Sequence, residues 1–341
     1  MNRGRVQFIV LLTAFLDFFG YALIIPAQPF IAEKLGASPF VFSLLAAVFT
    51  LMQVLFAPLW GRLSDSWGRR PVMLLTLVSS VVGYALFGWA PTLVWLFASR
   101  VIAGIGGANA ATAQAILCDS STPEDRAKIL GKLGATLALG MVAGPALGGV
   151  LAQWGLEAPV FAAAGLCAVD LVLAYWFLPE TKRAGTEKNT RESFRASIAR
   201  LWNLADFRRL FFVYIFFATA ISMVHTIVGL YIERVWTHFG PGLAGTIDPK
   251  RAAAITSGTF IWVAVIIVVI QGGFLGRWVK RFGERRLLSL GLCLLLSGLV
   301  LVPVSVEIAV LPVVLLGLSL IATGLGLIGP TLTSLLSKTV G

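Results

Sequence analysis

Residues 61–75 read GRLSDSWGRRPVMLL, and a degenerate copy, GRWVKRFGERRLLSL, occupies residues 276–290. Both copies place glycines and arginines between long apolar runs, and each follows the second apolar run of its half of the chain. The sequence therefore predicts a repeat of whole helical bundles. Four positions recur at a constant offset of 215 residues: Gly61 and Gly276, Arg62 and Arg277, Gly68 and Gly283, Arg70 and Arg285.

The composition predicts an integral membrane protein. The chain of 341 residues is 58% hydrophobic and 13% charged, with a mean hydropathy of +0.89. Its apolar runs are continuous and about twenty residues long, enough for a helix to cross the ~30 Å hydrocarbon core of a bilayer. We therefore expect an all-α bundle with ten membrane spans. The predicted spans cover residues 6–28, 39–60, 71–90, 93–117, 130–153, 157–178, 209–233, 253–275, 287–305 and 308–336.

The basic residues are distributed unevenly between alternate loops. Of the 27 lysines and arginines, 22 fall on the side that carries the N-terminus and the 61–75 stretch, and four fall on the other side. The positive-inside rule then predicts a multi-pass membrane protein with a cytoplasmic N-terminus. The formal net charge of +11 follows from this topology and from contact with anionic headgroups, so we expect no nucleic-acid partner.

Residues 179–208 form the longest polar stretch of the chain. We expect a cytoplasmic linker that contains a short amphipathic helix. It would separate an N-terminal six-helix bundle, residues 1–178, from a C-terminal bundle of four helices, residues 209–341. Because a complete repeat needs two further spans in the second half, the sequence predicts a twelve-span protein that is truncated after its tenth span.

The 61–75 stretch combines turn residues with complementary charges. Asp65 can accept hydrogen bonds from Arg69 or Arg70, and either arginine can reach Asp119 at the end of span four. Such contacts form in one arrangement of a bundle and break in another, so we interpret them as a conformational latch. The alternative is a basic membrane anchor with a turn. The two glycines are expected to supply tight turns. The predicted latch comprises Gly61, Asp65, Gly68, Arg69, Arg70 and Asp119.

Two ionisable residues of opposite charge lie inside predicted spans. Asp17 lies about 16 Å into span one at 1.5 Å per residue, and an intramembrane carboxylate is by default a proton or cation site. Its alternative role is a neutral cap at a helix break near Gly20. Arg100 lies in span four, where a buried arginine costs about 2.5–3.5 kcal/mol and needs a partner. We expect Asp17 to be that partner; the alternative is an Arg100 side chain that snorkels to the interface.

Other polar residues inside the spans carry weaker signals. Asp170 in span six is equally consistent with a structural and a functional role. His225 in span seven either titrates or packs. A further group is expected to line a substrate cavity or to bridge helices. That group comprises Tyr21, Gln53, Gly104, Gln114 and Gln271.

Span five carries GMVAGPALGG at residues 140–149. Its glycines share one helical stripe, which permits backbone contact with a neighbouring helix. Its proline is expected to kink the helix. The motif residues are Gly140, Gly144, Pro145, Gly148 and Gly149.

These motifs resemble those of the major facilitator superfamily. GRLSDSWGRR resembles the family's signature loop, G-x-L-A-D-R-x-G-R-R/K, from which Ser64 and Ser66 depart. The run R-x-x-x-G-x-G-x-A, which starts at Arg100, resembles the second motif, and GMVAGPALGG resembles the antiporter motif of the family's exporters. FLDFFGYALIIPAQP, residues 15–29, resembles the first span of drug/proton antiporters.

The resemblance implies a secondary transporter of the drug/proton antiporter branch, similar to tetracycline exporters. It would expel a lipophilic or amphiphilic compound by alternating access, with protons coupled through Asp17, Arg100, Asp170 and His225 and a cavity lined by spans one, four, seven and ten. Spans eight and nine lack the titratable residues of tetracycline exporters, which favours a generic lipophilic substrate. The alternatives are a transporter of sugars or other metabolites, and a non-transporting membrane protein of the same fold.

The chain contains no signature of a hydrolase, metalloprotease or ATPase. We therefore expect no enzymatic activity, no metal and no cofactor beyond the coupling proton. The expected partners are the lipid bilayer and the small substrate, and the expected state is a monomer.

Overall fold

The computed structural model describes residues 3–107, 109–122, 125–180, 204, 207–217, 249–308 and 311–340. Within these ranges every regular element is a helix. The chain divides into two compact units. Of the described residues, the first unit holds 3–180 and 249–258, and the second holds 204, 207–217, 259–308 and 311–340.

The first eight helices belong to the first unit. Proline stands in the first turn of three of them, where its missing N–H has no intrahelical partner to lose. The helices are α1 (Arg3–Ile24), α2 (Gln28–Lys34), α3 (Pro39–Trp67), α4 (Arg69–Gly88), α5 (Leu93–Gly106), α6 (Asn109–Asp119), α7 (Arg126–Leu151) and α8 (Ala158–Phe177).

The later helices run through the second unit, apart from the first turns of α10. A π-helical segment, Ile270–Phe274, joins α10 to α11 without a break. The helices are α9 (207–217), α10 (Pro249–Val269), α11 (Leu275–Phe282), α12 (Glu284–Ile308) and α13 (Leu311–Val340).

Nine stretches of helix in the described part of the chain are long and apolar enough to cross a membrane. They match nine of the ten predicted spans, with α5 and α6 together forming span four and α10, the π segment and α11 together forming span eight. Most of predicted span seven, 209–233, lies outside the described residues, as do nearly all of the predicted linker and its amphipathic helix. The count of ten and the boundaries of the two bundles stay predictions.

Small residues bring the helices of the first unit into close contact. A Cβ atom at Gly83 of α4 would lie 2.7 Å from the backbone nitrogen of Ala103, and one at Gly106 would overlap the Thr76 carbonyl. A hydrophobic core that includes Val10, Leu77 and Ile116 fills the end of the unit where α1, α4, α6, α7 and α8 meet. Lipid tails are as apolar as the helix surfaces, so this close van der Waals packing is what holds the helices together.

The second unit is built on the pair α12 and α13. Two glycine pairs, Gly291 with Gly324 and Gly298 with Gly317, bring the two backbones together. Apolar side chains on either side, among them Leu295, fill the remainder of the contact. Small residues on facing helices therefore set the packing of this unit as well.

The 61–75 stretch contains one turn residue, not two. Helix α3 continues through Gly61 to Trp67, seven residues past the predicted end of the span, and α4 begins at Arg69. Gly68 alone makes the turn, with φ 115° and ψ 159°, a conformation that only glycine adopts without strain. The expectation that Gly61 makes a turn is wrong, because a helix needs no interruption where it leaves the bilayer. Gly283, at the repeat position, has φ 78° and ψ 155° and separates α11 from α12 in the same way.

The two glycines of the first copy make a matched test of this geometry. We expect Gly68→Ala to lower the free energy of unfolding by about 1–3 kcal/mol, because of backbone strain and because a Cβ would overlap the Glu180 carboxylate. Gly61→Ala meets open space and is expected to be neutral or stabilising by up to about 1 kcal/mol. Thermal unfolding of the detergent-solubilised protein measures both, and equal midpoints for the two variants would contradict the assignment.

Candidate functional site

Arg69 links the two acidic residues of the predicted latch. Its Nη1 atom lies 2.9 Å from Asp65 Oδ1, and its Nε donates to Asp119 Oδ2 at 3.1 Å. Nη1 also donates to the hydroxyl of Ser64, which is buried at the end of α3. One guanidinium thus connects the end of α3, the start of α4 and the end of α6. The structure therefore brings together the predicted Asp65, Arg69 and Asp119.

Arg70 turns away from this cluster. Its Nη2 atom donates to the carbonyl oxygen of Tyr175, and its guanidinium lies over the Tyr175 ring, 5.5 Å from the centroid. It has no ion pair with any described residue. Of the two arginines that the sequence allowed to reach Asp119, only Arg69 does so.

Glu180 takes part in the latch although the sequence analysis did not single it out. Its two carboxylate oxygens accept hydrogen bonds from the backbone N–H groups of Arg69 and Arg70, at 2.9 and 3.2 Å. These N–H groups open α4 and lack partners within the helix, so the carboxylate caps the positive end of the helix dipole. Its position directly after span six, on the basic side of the chain, is the sequence feature that could have indicated this contact.

Asp17 lies in the middle of α1 and is 7% exposed. Its carboxyl group lies beside the side chain of Asn109, the first residue of α6. The Asn109 carbonyl accepts a hydrogen bond from the Thr76 hydroxyl of α4, while its amide nitrogen makes no hydrogen bond of good geometry to any described residue. Asp17 is therefore the first of a buried series of polar side chains that runs from α1 through α6 to α4.

Arg100 lies in a cage of aromatic rings and is 2% exposed. Its guanidinium carbon lies 4.2 Å from the Phe87 ring centroid, 5.6 Å from that of Phe49 and 5.9 Å from that of Tyr84. Cation–π contacts of this kind are worth about 0.5–2 kcal/mol. The Nε and Nη2 atoms have no hydrogen-bond partner.

The expected ion pair between Arg100 and Asp17 does not form in this structure. Among the described residues the ion pairs join Lys34 to Glu157 and Arg69 to two aspartates, and none includes Arg100. The rings of α3 and α4 occupy the place of the expected carboxylate. The burial of Arg100 among those rings also excludes the alternative that its side chain snorkels to the interface.

Asp170 lies on α8, where α8 packs against α1, and is fully buried. The Thr13 hydroxyl lies nearby, but neither carboxyl oxygen has a hydrogen-bond partner of good geometry. Asp17 is close enough to interact with it electrostatically. Two buried carboxyl groups, one on each helix, therefore share one region of the first unit.

Span four is interrupted about two helical turns after Arg100. Helix α5 ends at Gly106 and α6 begins at Asn109, so carbonyl groups near the break are available to side chains. Gln53 Nε2 donates to the Gly107 carbonyl at 3.2 Å, and Trp60 Nε1 donates to the Ile105 carbonyl at 2.6 Å. Both donors come from α3, which is thereby fixed to the break. Gln53 thus bridges helices in this structure.

The other candidates for the substrate cavity are separated. Tyr21 stacks on Phe49, with ring centroids 5.4 Å apart, and so adjoins the cage of Arg100. Gln114 is exposed. In the second unit, Gln271 lies in the π segment and donates to the Gly326 carbonyl at 3.4 Å. His225 lies outside the described residues.

The glycine stripe of α7 packs against α1, the helix that carries Asp17. A Cβ at Gly144 would overlap Ala22 and the Leu23 backbone, and one at Gly148 would overlap the Leu23 carbonyl. Gly140 faces the backbone of Phe19, at 3.0 Å from where its Cβ would stand. The other two motif residues are Pro145, which lies within α7, and Gly149, which faces the Ser257 side chain of the same unit.

This architecture defines a class of membrane protein. Membrane-spanning helices in two compact units, with buried ionisable side chains inside one of them, are typical of secondary transporters. The sequence profile of the Major Facilitator Superfamily matches residues 10–341. The chain belongs to that superfamily and is a multi-pass membrane transporter.

Similar proteins of known name include drug-resistance proteins. The chain is 31% identical to "Tetracycline resistance protein, class C" of Escherichia coli, with 100% of this chain and 83% of that protein covered. It is 28% identical to "Multidrug resistance protein 2" of Bacillus subtilis, over 100% of this chain and 83% of that one. Among solved structures, the human organic anion transporter MFSD10 (TETRAN) superposes with a TM-score of 0.62 at 26% identity, over 98% of this chain and 85% of that one.

Removal of one charge from the latch is expected to slow transport without changing substrate affinity. Ion pairs with this exposure contribute up to about 1 kcal/mol, so Asp119→Asn or Asp65→Asn should reduce maximal turnover by up to about fivefold. Initial rates of dye efflux at several dye concentrations separate turnover from apparent KM. Asp125→Asn is the control, because Asp125 contacts Thr122 and lies outside the latch. An altered KM with unchanged turnover would contradict the latch.

Helix α7 provides a matched set of glycines for testing its contact with α1. Gly144→Ala and Gly148→Ala should lower the free energy of unfolding by about 1–3 kcal/mol through overpacking. Gly131→Ala and Gly134→Ala, in the same helix, meet open space and should be neutral or stabilising. Thermal unfolding and dye efflux are measured for all four variants. Equal stability across the set would show that the close contact is unimportant.

Proposed function

We propose that this chain is a proton-driven exporter of lipophilic or amphiphilic drugs. The observation that carries the proposal is the buried Asp17 on α1, a helix against which the glycine stripe of α7 packs directly. A carboxyl group at that depth gains or loses charge only by exchange of a proton. The drug-resistance proteins among its relatives support export as the direction and drugs as the substrate class.

Protonation of Asp17 changes the charge balance inside the bundle. Asp17 and Arg100 both lie close enough to Tyr84 to act on it electrostatically. In the proposed cycle, the negative charge of ionised Asp17 offsets part of the positive charge of Arg100 within the same bundle. With Asp17 protonated, the Arg100 charge has no carboxylate partner among the described residues and lies against aromatic rings. A buried charge without a partner is costly, so the protonated bundle favours an arrangement that hydrates or pairs the guanidinium. This preference is the proposed link between proton uptake and the change of state.

The latch then sets which state dominates. Arg69, Asp65 and Asp119 hold α3, α4 and α6 together through contacts that are partly exposed to solvent. Such contacts are weak enough to break and re-form in every cycle. The proposed cycle loads Asp17 with a proton from outside, releases it inside, and takes up substrate from the cytoplasm or the inner leaflet.

The remaining assignments follow from the same reasoning. The bacterial relatives support a location in the bacterial inner membrane, and the distribution of basic residues supports a cytoplasmic N-terminus. The proposed activity is transport by a monomer, without a chemical reaction and without a cofactor other than the proton. A cavity lined by spans one, four, seven and ten, with His225 among its residues, stays a prediction because most of span seven lies outside the described residues.

Proton-coupled efflux in inverted membrane vesicles tests the proposal. Wild-type protein should move a fluorescent lipophilic dye against its gradient when a pH gradient is imposed, and Asp17→Asn should abolish this response while dye binding remains. Glu157→Gln is the control, because this carboxylate pairs with Lys34 outside the membrane spans. Unchanged proton coupling in Asp17→Asn would refute the mechanism.

The same vesicles distinguish the open roles of Asp170. Loss of coupling in Asp170→Asn, with normal thermal stability, would make it a second proton carrier. Loss of stability alone would make it structural. If the wild-type protein moves a sugar and no lipophilic dye, the alternative of a metabolite transporter replaces the proposal.

A further inference from the structure

A cavity of about 380 Å³ opens at one end of the first unit, between the first turns of α1 and α4 and the last turn of α8. Its volume falls within the range of about 300–1,000 Å³ that small-molecule sites occupy. Arg5 and Arg70 lie on its wall together with Trp176 and Phe177, and Val6 and Ile9 supply apolar surface. The cavity wall includes Arg70 of the predicted latch, but it contains neither the cluster of Asp65, Arg69 and Asp119 nor the buried carboxyl groups.

Neither arginine of the cavity is paired with a carboxylate in the part of the chain that the structure describes. Among the described residues, neither Arg5 nor Arg70 forms an ion pair, whereas the adjacent Arg69 pairs with two aspartates. The Nε atom of Arg70 is buried and has no hydrogen-bond partner. The nearby Glu180 carboxylate accepts hydrogen bonds from the backbone at the start of α4.

Aromatic rings fix the orientation of both guanidinium groups. The Arg5 guanidinium carbon lies 5.8 Å from the Phe177 ring centroid, and that of Arg70 lies 5.5 Å from the Tyr175 ring centroid. The Arg70 head group is held further by its hydrogen bond to the Tyr175 carbonyl. A guanidinium fixed in this way loses little entropy when it binds an anion.

The position of the cavity along the spans matches the headgroup layer of a bilayer. It lies at the ends of three membrane helices, on the side of the chain that carries most of the basic residues. Trp176 is 73% exposed and Tyr175 is 58% exposed. Exposed tryptophan and tyrosine at the end of a span are typical of the membrane–water interface.

We propose that this cavity binds the phosphate group of an anionic phospholipid. The guanidinium groups of Arg5 and Arg70 supply donors that match phosphate oxygens, and Val6 and Ile9 offer apolar surface to the glycerol and the first acyl carbons. Basic pockets between membrane helices are a known mode of lipid headgroup recognition. The lipid would hold α1 and α8 to the start of α4, the helix that begins with Arg69. This inference rests on membrane insertion alone and is independent of the proposed transport activity.

Native mass spectrometry of the purified, delipidated full chain tests the site. The protein is titrated with phosphatidylglycerol, with phosphatidylcholine and with inorganic phosphate. We expect tight binding of one phosphatidylglycerol, weaker binding of phosphatidylcholine, and no competition from millimolar inorganic phosphate. Each arginine removed, in Arg5→Gln, Arg70→Gln and the double variant, should weaken phosphatidylglycerol binding by about fivefold.

Matched variants separate the site from general basicity and from misfolding. Arg62→Gln removes an exposed arginine near the end of α3 that does not line the cavity, and it should leave binding unchanged. Arg70→Lys keeps the charge and should retain part of the affinity. If Arg70→Gln proves unstable, Arg5→Gln decides alone, because the Arg5 guanidinium donates no hydrogen bond to any described residue.

Each outcome of the titrations has a definite meaning. Equal phosphatidylglycerol affinity for wild type and the double variant would overturn the site. Competition by inorganic phosphate at equal affinity would overturn the lipid assignment in favour of a free phosphate ion. Because the measurement needs no pH gradient and no substrate, a failure of the transport mechanism leaves it unaffected.

Discussion

Close contact between helix backbones is the constraint on which the structure depends. In a bilayer the hydrophobic effect does not drive helices together, so association relies on dense van der Waals packing. Gly144 and Gly148 bring α7 against α1, Gly104 brings α5 against α3, and the pair Gly298 and Gly317 joins α12 to α13. At each of these positions an added methyl group would overlap a neighbouring helix. The packing therefore leaves little freedom for one helix to shift without its partner.

In the proposed transport cycle, this rigidity couples the charge of buried side chains to helix movement. Asp17 lies on the helix against which α7 packs most closely, and Arg100 lies on the helix that Gly104 fixes to α3. A change of charge at Asp17 alters the electrostatic balance of a bundle whose members move together. In this cycle, the uptake of a single proton can then displace several helices together, because packed interfaces switch between discrete arrangements.

Most of the membrane topology was predictable, because it depends on hydropathy summed over about twenty residues. That Arg69 can contact Asp119 was also predictable, since both residues lie at span ends on the same side of the membrane. That Arg69, and not Arg70, would contact Asp119 was not predictable. It depends on the position of Tyr175, 105 residues away, which holds Arg70 against α8. The sequence likewise suggested an acid as partner for Arg100. Aromatic residues are abundant in this chain, and no local pattern indicates that Phe49, Tyr84 and Phe87 converge on one guanidinium.

The two copies of the repeat share the glycine turn between their helices but differ in the polar residues beside it. Gly68 and Gly283 make the same turn, yet Arg69 corresponds to Glu284 and Asp119 corresponds to Ser334 at the offset of 215. Where the first unit has an ion pair, the second has a hydrogen bond from the Ser334 hydroxyl to Glu284 at 2.7 Å. Attraction between exposed charges falls as salt shortens the Debye length, from about 30 Å at 0.01 M to about 8 Å at 0.15 M. A hydrogen bond from a neutral donor is far less sensitive. Ionic strength is therefore expected to weaken the Arg69–Asp119 ion pair more than the hydrogen bond at the matching position of the second unit.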